Sequence, residues 1–134
     1  MSQGNSTETD VLKANLKGTD PAWRANANRY ISLHTGDPGE AGDQTTSEAT
    51  FTGYARVAVP VADWTDGGST FSNTNAITFP QCTGGSNTIT YVAIGTVSSG
   101  AGQILYSGAL SASLSVSNLI TAIFAALALT VTED

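Results

Sequence analysis

The amino-acid sequence predicts an all-β protein, a β-sandwich or jelly roll of about seven or eight strands with a short helical arm at its N-terminus. Only 12% of the residues are charged, whereas small polar and β-branched residues are abundant. Apolar and polar residues alternate with the period of two that strands require, and turn signals recur roughly every 8 to 15 residues. A chain of 134 residues suits one domain. We divide it into an arm, residues 1–28, which would act as an anchor, and a β-sandwich domain, residues 29–134.

The arm is predicted to begin as a disordered segment, residues 1–6, and to continue as a short helix. Thr7 and Asp10 have the spacing of a capping box at the start of this helix, and Gly18 provides its end. A helix of this length is marginal in isolation, so it needs a surface on which to dock. Three apolar residues form a narrow stripe on one side of it, namely Val11, Leu12 and Leu16.

A second helical turn is predicted after the first helix, with Asp20 as its N-cap and Pro21 at its first position. It carries Trp23, which would either contact a neighbouring molecule or pack against one end of the sandwich. The predicted partner-binding residues of the arm are therefore Val11, Leu12, Leu16 and Trp23.

A strand is predicted over residues 30–35, followed by a long acidic loop that begins at the turn of residues 36–39. Oxygen-rich loops can hold Ca²⁺, which makes three acidic residues of this loop candidate ligands: Asp37, Glu40 and Asp43. Their spacing does not match that of an EF-hand, and the alternative is that they are solvated or cap backbone N–H groups. We predict no metal site and no cofactor.

The loop is expected to be tied to the body by a few polar side chains. Arg56 is the only basic residue after position 30, and we predict that it pairs with Glu48 or Asp43. His34 is predicted to hydrogen-bond the loop to the body from the end of the first strand. The predicted loop-anchoring residues are therefore His34, Arg56 and Glu48.

The remaining strands are predicted from alternation and from turn residues. A second strand covers residues 51–61, with Pro60 favouring an edge position. Asp66, Gly67 and Gly68 predict a hairpin turn, and Phe79 is expected to point inward. A central strand is predicted over residues 88–96, and further strands over residues 103–110, 111–117 and 119–131, the last of them buried on both faces. Cys82 is expected to be a small buried side chain.

Composition also argues against several functions. The net charge of −6 and the five basic residues disfavour nucleic acid. The apolar run of residues 119–131 is shorter than the roughly 20 residues of a membrane helix, and the polar N-terminus has no signal-peptide pattern, so we predict no membrane partner.

Catalysis is not predicted either. A Ser-His-Asp arrangement would have to use His34, and the sequence contains no nucleophile elbow of the form G-x-S-x-G. We therefore predict no catalytic residues. A hydrolase or metal-dependent glycan enzyme that uses His34 and the acidic loop is the alternative from another functional class.

Several stretches of the sequence resemble a family of small tailed-bacteriophage proteins that are labelled phage structural or tail-fibre proteins. These stretches are LHTGDPGEAGDQTTSEATFTGYARVAV, AITFP, IGTVSSGAGQILYSGAL and ALTVTED. The resemblance covers residues 30–134, and residues 1–28 lie outside it. It implies a compact, non-enzymatic β protein of the virion and carries no catalytic residues.

Residues 67–132 contain no Asp, Glu, Lys, Arg or His, which predicts that other protein covers part of this surface. We predict foremost a decoration or cement protein of the phage head that binds the major capsid protein and forms trimers or dimers. The alternative is a tail or tail-fibre protein that binds other virion proteins and contacts host glycans through the turn of residues 63–66 and Trp64. The protein would assemble in the host cytoplasm and reside on the capsid surface or tail.

Overall fold

The computed structural model describes residues 1–133, and there the predicted all-β fold is confirmed. Ten strands follow one another as β1 (Ser2–Gln3), β2 (Asn28–His34), β3 (Val57–Pro60), β4 (Trp64–Asp66), β5 (Thr70–Asn73), β6 (Ile77–Thr78), β7 (Asn87–Gly95), β8 (Ile104–Val116), β9 (Ile123–Phe124) and β10 (Thr130–Thr132). One α-helix, α1 (Asn5–Lys17), and two 3₁₀ turns, Ala22–Ala25 and Val61–Asp63, complete the described elements. The strands outnumber those predicted because three of them contain only two residues.

The largest sheet is antiparallel and has the strand order β1-β8-β7-β2-β3. The predicted central strand is β7, which pairs with β2 on one side and with β8 on the other. Ile31 lies opposite Ile94 and Leu33 opposite Val92, so these four side chains share one face of the sheet. The other predicted strands differ in extent. β3 covers only the end of residues 51–61, and the two strands predicted over residues 103–110 and 111–117 are one strand, β8.

Two smaller sheets, β10-β5-β4 and β6-β9, contribute to the same hydrophobic core as the large sheet. Strands β4 and β5 form the predicted hairpin, and Gly68 in its turn has a φ of 91°, which favours glycine. Phe79 points inward as predicted, and Cys82 is fully buried. The β10-β5-β4 sheet packs Trp64 and Val131 against the core cluster, and β9 packs Phe124 against it. The buried residues of the cluster are Ile31, Leu33, Ala49, Phe51, Val59, Ile77, Phe79, Cys82, Ile89, Val92, Ile94, Leu105, Val116, Ala122 and Leu129.

The start of the chain is ordered, so the expectation of a disordered segment over residues 1–6 was wrong. Ser2 and Gln3 pair with β8 and form one edge of the large sheet. Gly4 follows as the N-cap of α1, and a Cβ atom there would lie 2.5 Å from the backbone oxygen of Ile104. Glycine therefore allows the chain to pass close to β8 before the helix begins.

The helix of the arm exists, but its predicted capping box does not. Thr7 lies inside α1, where its Oγ1 donates to the Ile104 carbonyl at 2.7 Å. Gly18 ends the helix in the left-handed conformation, as predicted. The second turn is 3₁₀ and its N-cap is Pro21, so the capping role predicted for Asp20 was wrong. The division of the chain after residue 28 stays a prediction.

The strand predicted over residues 119–131 was also wrong, because this run is not one strand buried on both faces. It contains β9, a series of turns and β10. Leu119 and Leu127 have φ angles of 73° and 64°, which interrupt an extended chain. Most of the large side chains of this run are exposed. Within residues 1–133, α1 is too short and too polar to span a membrane.

Candidate functional site

The ion pair between Arg56 and Glu48 lies at the centre of the loop anchor, the cluster of His34, Glu48 and Arg56. Arg56 Nε and Nη2 donate to the two carboxylate oxygens of Glu48 at 2.7 and 2.9 Å. The same guanidinium donates to the carbonyls of Val97 and Gly100 at 3.0 and 2.8 Å. Burial alone would lower the pKa of Arg56, but the hydrogen bonds and the charge of Glu48 outweigh it and raise the pKa. The pair therefore binds the acidic loop to the turn that follows β7.

His34 is fully buried and holds the same loop from β2. Its Nδ1 donates to the Thr46 carbonyl at 2.8 Å, and its Nε2 accepts from Ser32 Oγ, also at 2.8 Å. Burial lowers the pKa of His34, so the ring is neutral near pH 7. Ser32 is as deeply buried as His34, and the Nδ1 partner is a carbonyl oxygen instead of a carboxylate. This geometry holds the loop and does not present an accessible nucleophile.

Gln44 is a second buried anchor of the loop, and sequence reasoning did not find it. Its Oε1 accepts from the backbone N–H groups of Thr96 and Val97 at 3.0 Å, while its Nε2 donates to the Val97 carbonyl at 3.2 Å. Tyr54 adds to the cluster by donating its hydroxyl to Glu48 at 2.7 Å. A single glutamine in a polar loop carries no pattern that would single it out in the sequence.

Each of the three candidate calcium ligands accepts a hydrogen bond from a different part of the chain. Asp37 Oδ1 accepts from the N–H of Gly39 at 2.8 Å, and Asp43 Oδ1 accepts from the N–H of Thr45 at 2.8 Å. Glu40 Oε1 accepts from Ser2 Oγ at 2.6 Å. Over residues 1–133, no group of three His, Cys, Asp or Glu side chains is arranged to hold a metal ion. The carboxylates instead stabilise turns and the start of the chain.

An aromatic cleft of about 690 Å³ opens between the large sheet and the β10-β5-β4 sheet. Ile94 and Leu105 contribute apolar surface to it. Both tryptophans of the chain line it, and the Nε1 of Trp64 is buried without a hydrogen-bond partner among residues 1–133. The side chains that give the cleft its chemistry are Trp23, Trp64, Phe71, Tyr106, Arg24, Arg29 and Glu133.

Trp23 forms one wall of the aromatic cleft and is half-buried. Its Nε1 donates to Asp10 of α1 at 2.9 Å, and the guanidinium of Arg29 lies 5.4 Å from its ring centroid. Trp23 thus packs against the body, one of the two placements considered for it. Its predicted contact with a partner stays a prediction, as it does for Val11, Leu12 and Leu16.

Two apolar surfaces are exposed. On α1, Leu12 and Leu16 are 59% and 80% exposed. The second surface, which we call the C-terminal apolar segment, covers residues 119–127. Its large exposed side chains are Leu119, Ile120, Ile123 and Leu127, whose exposed fractions are 69%, 40%, 56% and 55%. Sequence reasoning missed this surface because it assigned the whole run to the core.

Asn73 holds the C-terminal apolar segment in place from β5. It is fully buried, and its Nδ2 donates to the Ala125 carbonyl at 2.9 Å. Its Oδ1 accepts from the N–H of Leu129 at 2.9 Å, and its backbone carbonyl accepts from the N–H of Leu127 at 2.7 Å. The exposed Leu127 is therefore presented by a backbone that Asn73 holds through hydrogen bonds.

Comparison with known proteins gives one family. A family model described as Podophage GP4 fiber I protein gp80 matches residues 2–132. No curated protein matches the chain.

Proposed function

This chain belongs to the family of the podophage GP4 fiber I protein gp80, and we propose from that premise that it is a non-enzymatic structural part of a phage tail fibre. The observation that carries the proposal is the match over residues 2–132, nearly the whole chain. This match confirms the resemblance to phage structural proteins that the sequence showed. The match also includes the arm, which lay outside that resemblance.

From the sequence we preferred decoration of the phage head and gave a tail or tail-fibre protein as the alternative. A fibre family favours the alternative, because its description refers to a fibre and mentions no capsid role. We therefore propose other tail proteins as its partners in place of the major capsid protein. The protein is a virion component in either case, and its site on the tail is part of our proposal.

Assembly through two apolar surfaces is the second part of the proposal. The stripe of Val11, Leu12 and Leu16 on α1 would attach the chain to another virion protein. The C-terminal apolar segment would contact further copies of this chain and produce a dimer or trimer. Large apolar side chains that remain exposed on a folded chain, next to one another, mark surfaces that another protein covers. The absence of charge between residues 67 and 132 supports the same interpretation.

A structural role also suits the polar clusters. The loop anchor and Gln44 use their hydrogen-bonding groups on neighbouring side chains and on backbone atoms, which fixes the loop to the body. His34 is enclosed, so a substrate would have no path to it.

Electron microscopy of phage particles tests the proposed location. Antibodies raised against the purified chain and coupled to gold should label the tail region, with a few gold particles on each virion. Antibodies against a major head protein of the same phage provide the control and should label the capsid. Gold spread over the capsid surface by the antibody against this chain would contradict the tail-fibre function and restore head decoration.

A further inference from the structure

The aromatic cleft is lined in part by side chains that pack against the core, but it shares no residue with the proposed assembly surfaces. We propose that it binds an acidic saccharide, a sugar ring that carries a carboxylate or a phosphate group. The proposal rests on the proposed function in one respect, because a fibre is a part of the virion that meets polysaccharides on the host surface. Its physical basis lies in the aromatic walls and in the charge and free donors of Arg29.

The aromatic walls suit a sugar ring. Trp23, Trp64 and Phe71 reach the cleft from three different segments of the chain, and Tyr106 adds a hydroxyl group. Sugar rings have apolar C–H faces and a rim of hydroxyl groups, so they pack on aromatic side chains while polar groups fix their orientation. Phe71 is 40% exposed, which leaves an apolar surface open to a ligand.

Arg29 supplies hydrogen-bond donors that the protein does not use. Its Nη1 donates to the carbonyls of Asn26 and Asn28 at 3.1 and 3.2 Å, which orients the guanidinium. Its Nε and Nη2 donate to no protein atom within residues 1–133, and no carboxylate of those residues forms an ion pair with it. Two adjacent N–H groups of a held guanidinium match the two oxygens of a carboxylate or phosphate.

Arg29 is the cation that the cleft offers to an anion. Arg24 and Glu133 also line the cleft, but Arg24 is paired with Asp20 at 2.8 Å. Glu133 already accepts from the Tyr106 hydroxyl at 2.9 Å. Burial and, second, the neighbouring charge of Arg24 lower the pKa of Arg29, so its charged form is disfavoured there. A bound anion would relieve this cost, which a neutral ligand could not do.

Tryptophan fluorescence gives a direct test, because both tryptophans of the chain line the cleft. The purified full chain is titrated with trigalacturonic acid and with glucose 1-phosphate, which distinguish a carboxylate from a phosphate. Maltotriose is the neutral saccharide and inorganic phosphate the anion without a sugar. We expect saturable binding of at least one acidic saccharide, weakened by salt, and much weaker binding of both controls.

Variants then assign the binding to the cleft. Arg29→Gln should weaken binding about tenfold, since it removes a charged hydrogen-bond donor. Phe71→Ala should weaken it about threefold or more, since it removes an aromatic wall. Lys17→Gln removes a positive charge at the end of α1, outside the cleft, and should leave binding unchanged. Circular dichroism and thermal melting establish that each variant is folded.

Several outcomes would overturn the proposal. These are no binding of either acidic saccharide, equal binding of maltotriose or of inorganic phosphate, and undiminished binding by folded Arg29→Gln and Phe71→Ala variants. Because binding is measured on the isolated chain, a failure overturns the cleft assignment and leaves the tail location untouched. The tail location is tested separately on particles by gold labelling.

Discussion

At the scale of single residues, two Arg–carboxylate pairs of similar length lie in opposite surroundings. The pair of Arg56 and Glu48 has a distance of 2.7 Å and side chains that are 3% and 16% exposed. The pair of Arg24 and Asp20 has a distance of 2.8 Å and side chains that are 44% and 71% exposed. Exposed pairs contribute little because water and salt screen them, whereas a buried charge that loses its partner is left in a medium that solvates it poorly.

We therefore predict that Arg56→Ala lowers the free energy of unfolding by about 3–5 kcal/mol, because Glu48 keeps its buried charge without a cationic partner. The matched variant Arg24→Ala should lower it by less than about 1 kcal/mol. Urea denaturation followed by circular dichroism measures both. Equal losses in the two variants would contradict a buried ion pair at the centre of the loop anchor.

His34 predicts a dependence of stability on pH. Burial lowers its pKa in the folded chain below the usual 6.5, although the Thr46 carbonyl and Glu48 act in the opposite direction and Arg56 adds to the lowering. Below about pH 6.5 the unfolded chain then binds a proton that the folded chain does not, so stability falls as the pH falls. The free energy of unfolding should decrease from about pH 7.5 to about pH 5.

The variant His34→Gln serves as the control for this prediction. It has no titrating ring, so its free energy of unfolding should change less over the same pH range, whatever its absolute stability. Asp10 and Asp43 have a pKa lowered below 3.8, chiefly by side-chain hydrogen bonds from Trp23 and Thr45 respectively, so their contributions are lost at lower pH. An identical pH slope in both proteins would argue against a neutral buried His34.

At the scale of the elements, α1 is joined to the large sheet mainly by polar contacts. Thr7 is 1% exposed, donates to the Ile104 carbonyl and accepts from Gln103 Nε2 at 2.9 Å. Leu12 and Leu16 point away from the body. The helix therefore docks through hydrogen bonds while its apolar stripe remains available to a partner.

Thr7→Val tests this mode of docking. The change keeps the shape of the side chain but leaves the Ile104 carbonyl without its Thr7 donor, which should cost about 1–3 kcal/mol of unfolding free energy. Thr9→Val is the matched control in the same helix, because Thr9 is exposed and bonds only to the Asn5 carbonyl one turn earlier. Hydrogen exchange of the α1 amides should accelerate in the first variant only. Equal behaviour of the two variants would mean that Thr7 does not hold the helix.

Local patterns account for the elements that the sequence predicted well. Strand alternation identified β2 and β7, and Gly18 identified the end of α1. The run of residues 119–131 misled the prediction because Leu119 and Leu127 adopt positive φ, which leucine rarely does and no composition rule anticipates. The backbone of this run is held by Asn73, a residue about 50 positions away in the sequence.

The polar anchors and the aromatic cleft also differ in how far the sequence could predict them. Arg56 is the only lysine or arginine after position 30, so its partner could be sought among few acids, and Glu48 was one of the two named. Gln44 carries no such signal. The aromatic cleft could not be predicted because its walls come from the arm, β2, the β4–β5 hairpin, β7, β8 and β10. Such a set comes together only through the long-range pairing of strands.

At the scale of the whole molecule, charge and apolar surface are separated along the chain. All acidic and basic residues lie in residues 1–66 or in the last two positions. The C-terminal apolar segment lies in the uncharged part and presents side chains from a backbone that includes two strained leucines. A positive φ for a residue other than glycine costs on the order of 1 kcal/mol or more, and it persists where the surrounding structure or a function maintains it. Exposure of both leucines to solvent offers no folding benefit that would offset this cost.

The last prediction separates stability from assembly by replacing both strained leucines, as Leu119→Asn with Leu127→Asn. Asparagine tolerates the left-handed conformation better than leucine does, so the free energy of unfolding should stay within about 0.5 kcal/mol or rise. Removal of two exposed apolar side chains should nevertheless weaken association between copies of the chain. Sedimentation velocity over a range of concentrations should show oligomers for the unmodified chain and a shift to monomers for the variant.

The control for this prediction is Val61→Asn, which replaces an apolar side chain that is 50% exposed outside the segment and should leave the sedimentation unchanged. The variant phage extends the test to particles, where the doubly substituted chain should be depleted from purified virions although it accumulates in folded form in infected cells. An unmodified chain that sediments as a monomer at every concentration would refute self-association through this surface. So would a double variant that associates as the unmodified chain does, because the two leucines are half of the large exposed side chains that the segment offers to a second copy.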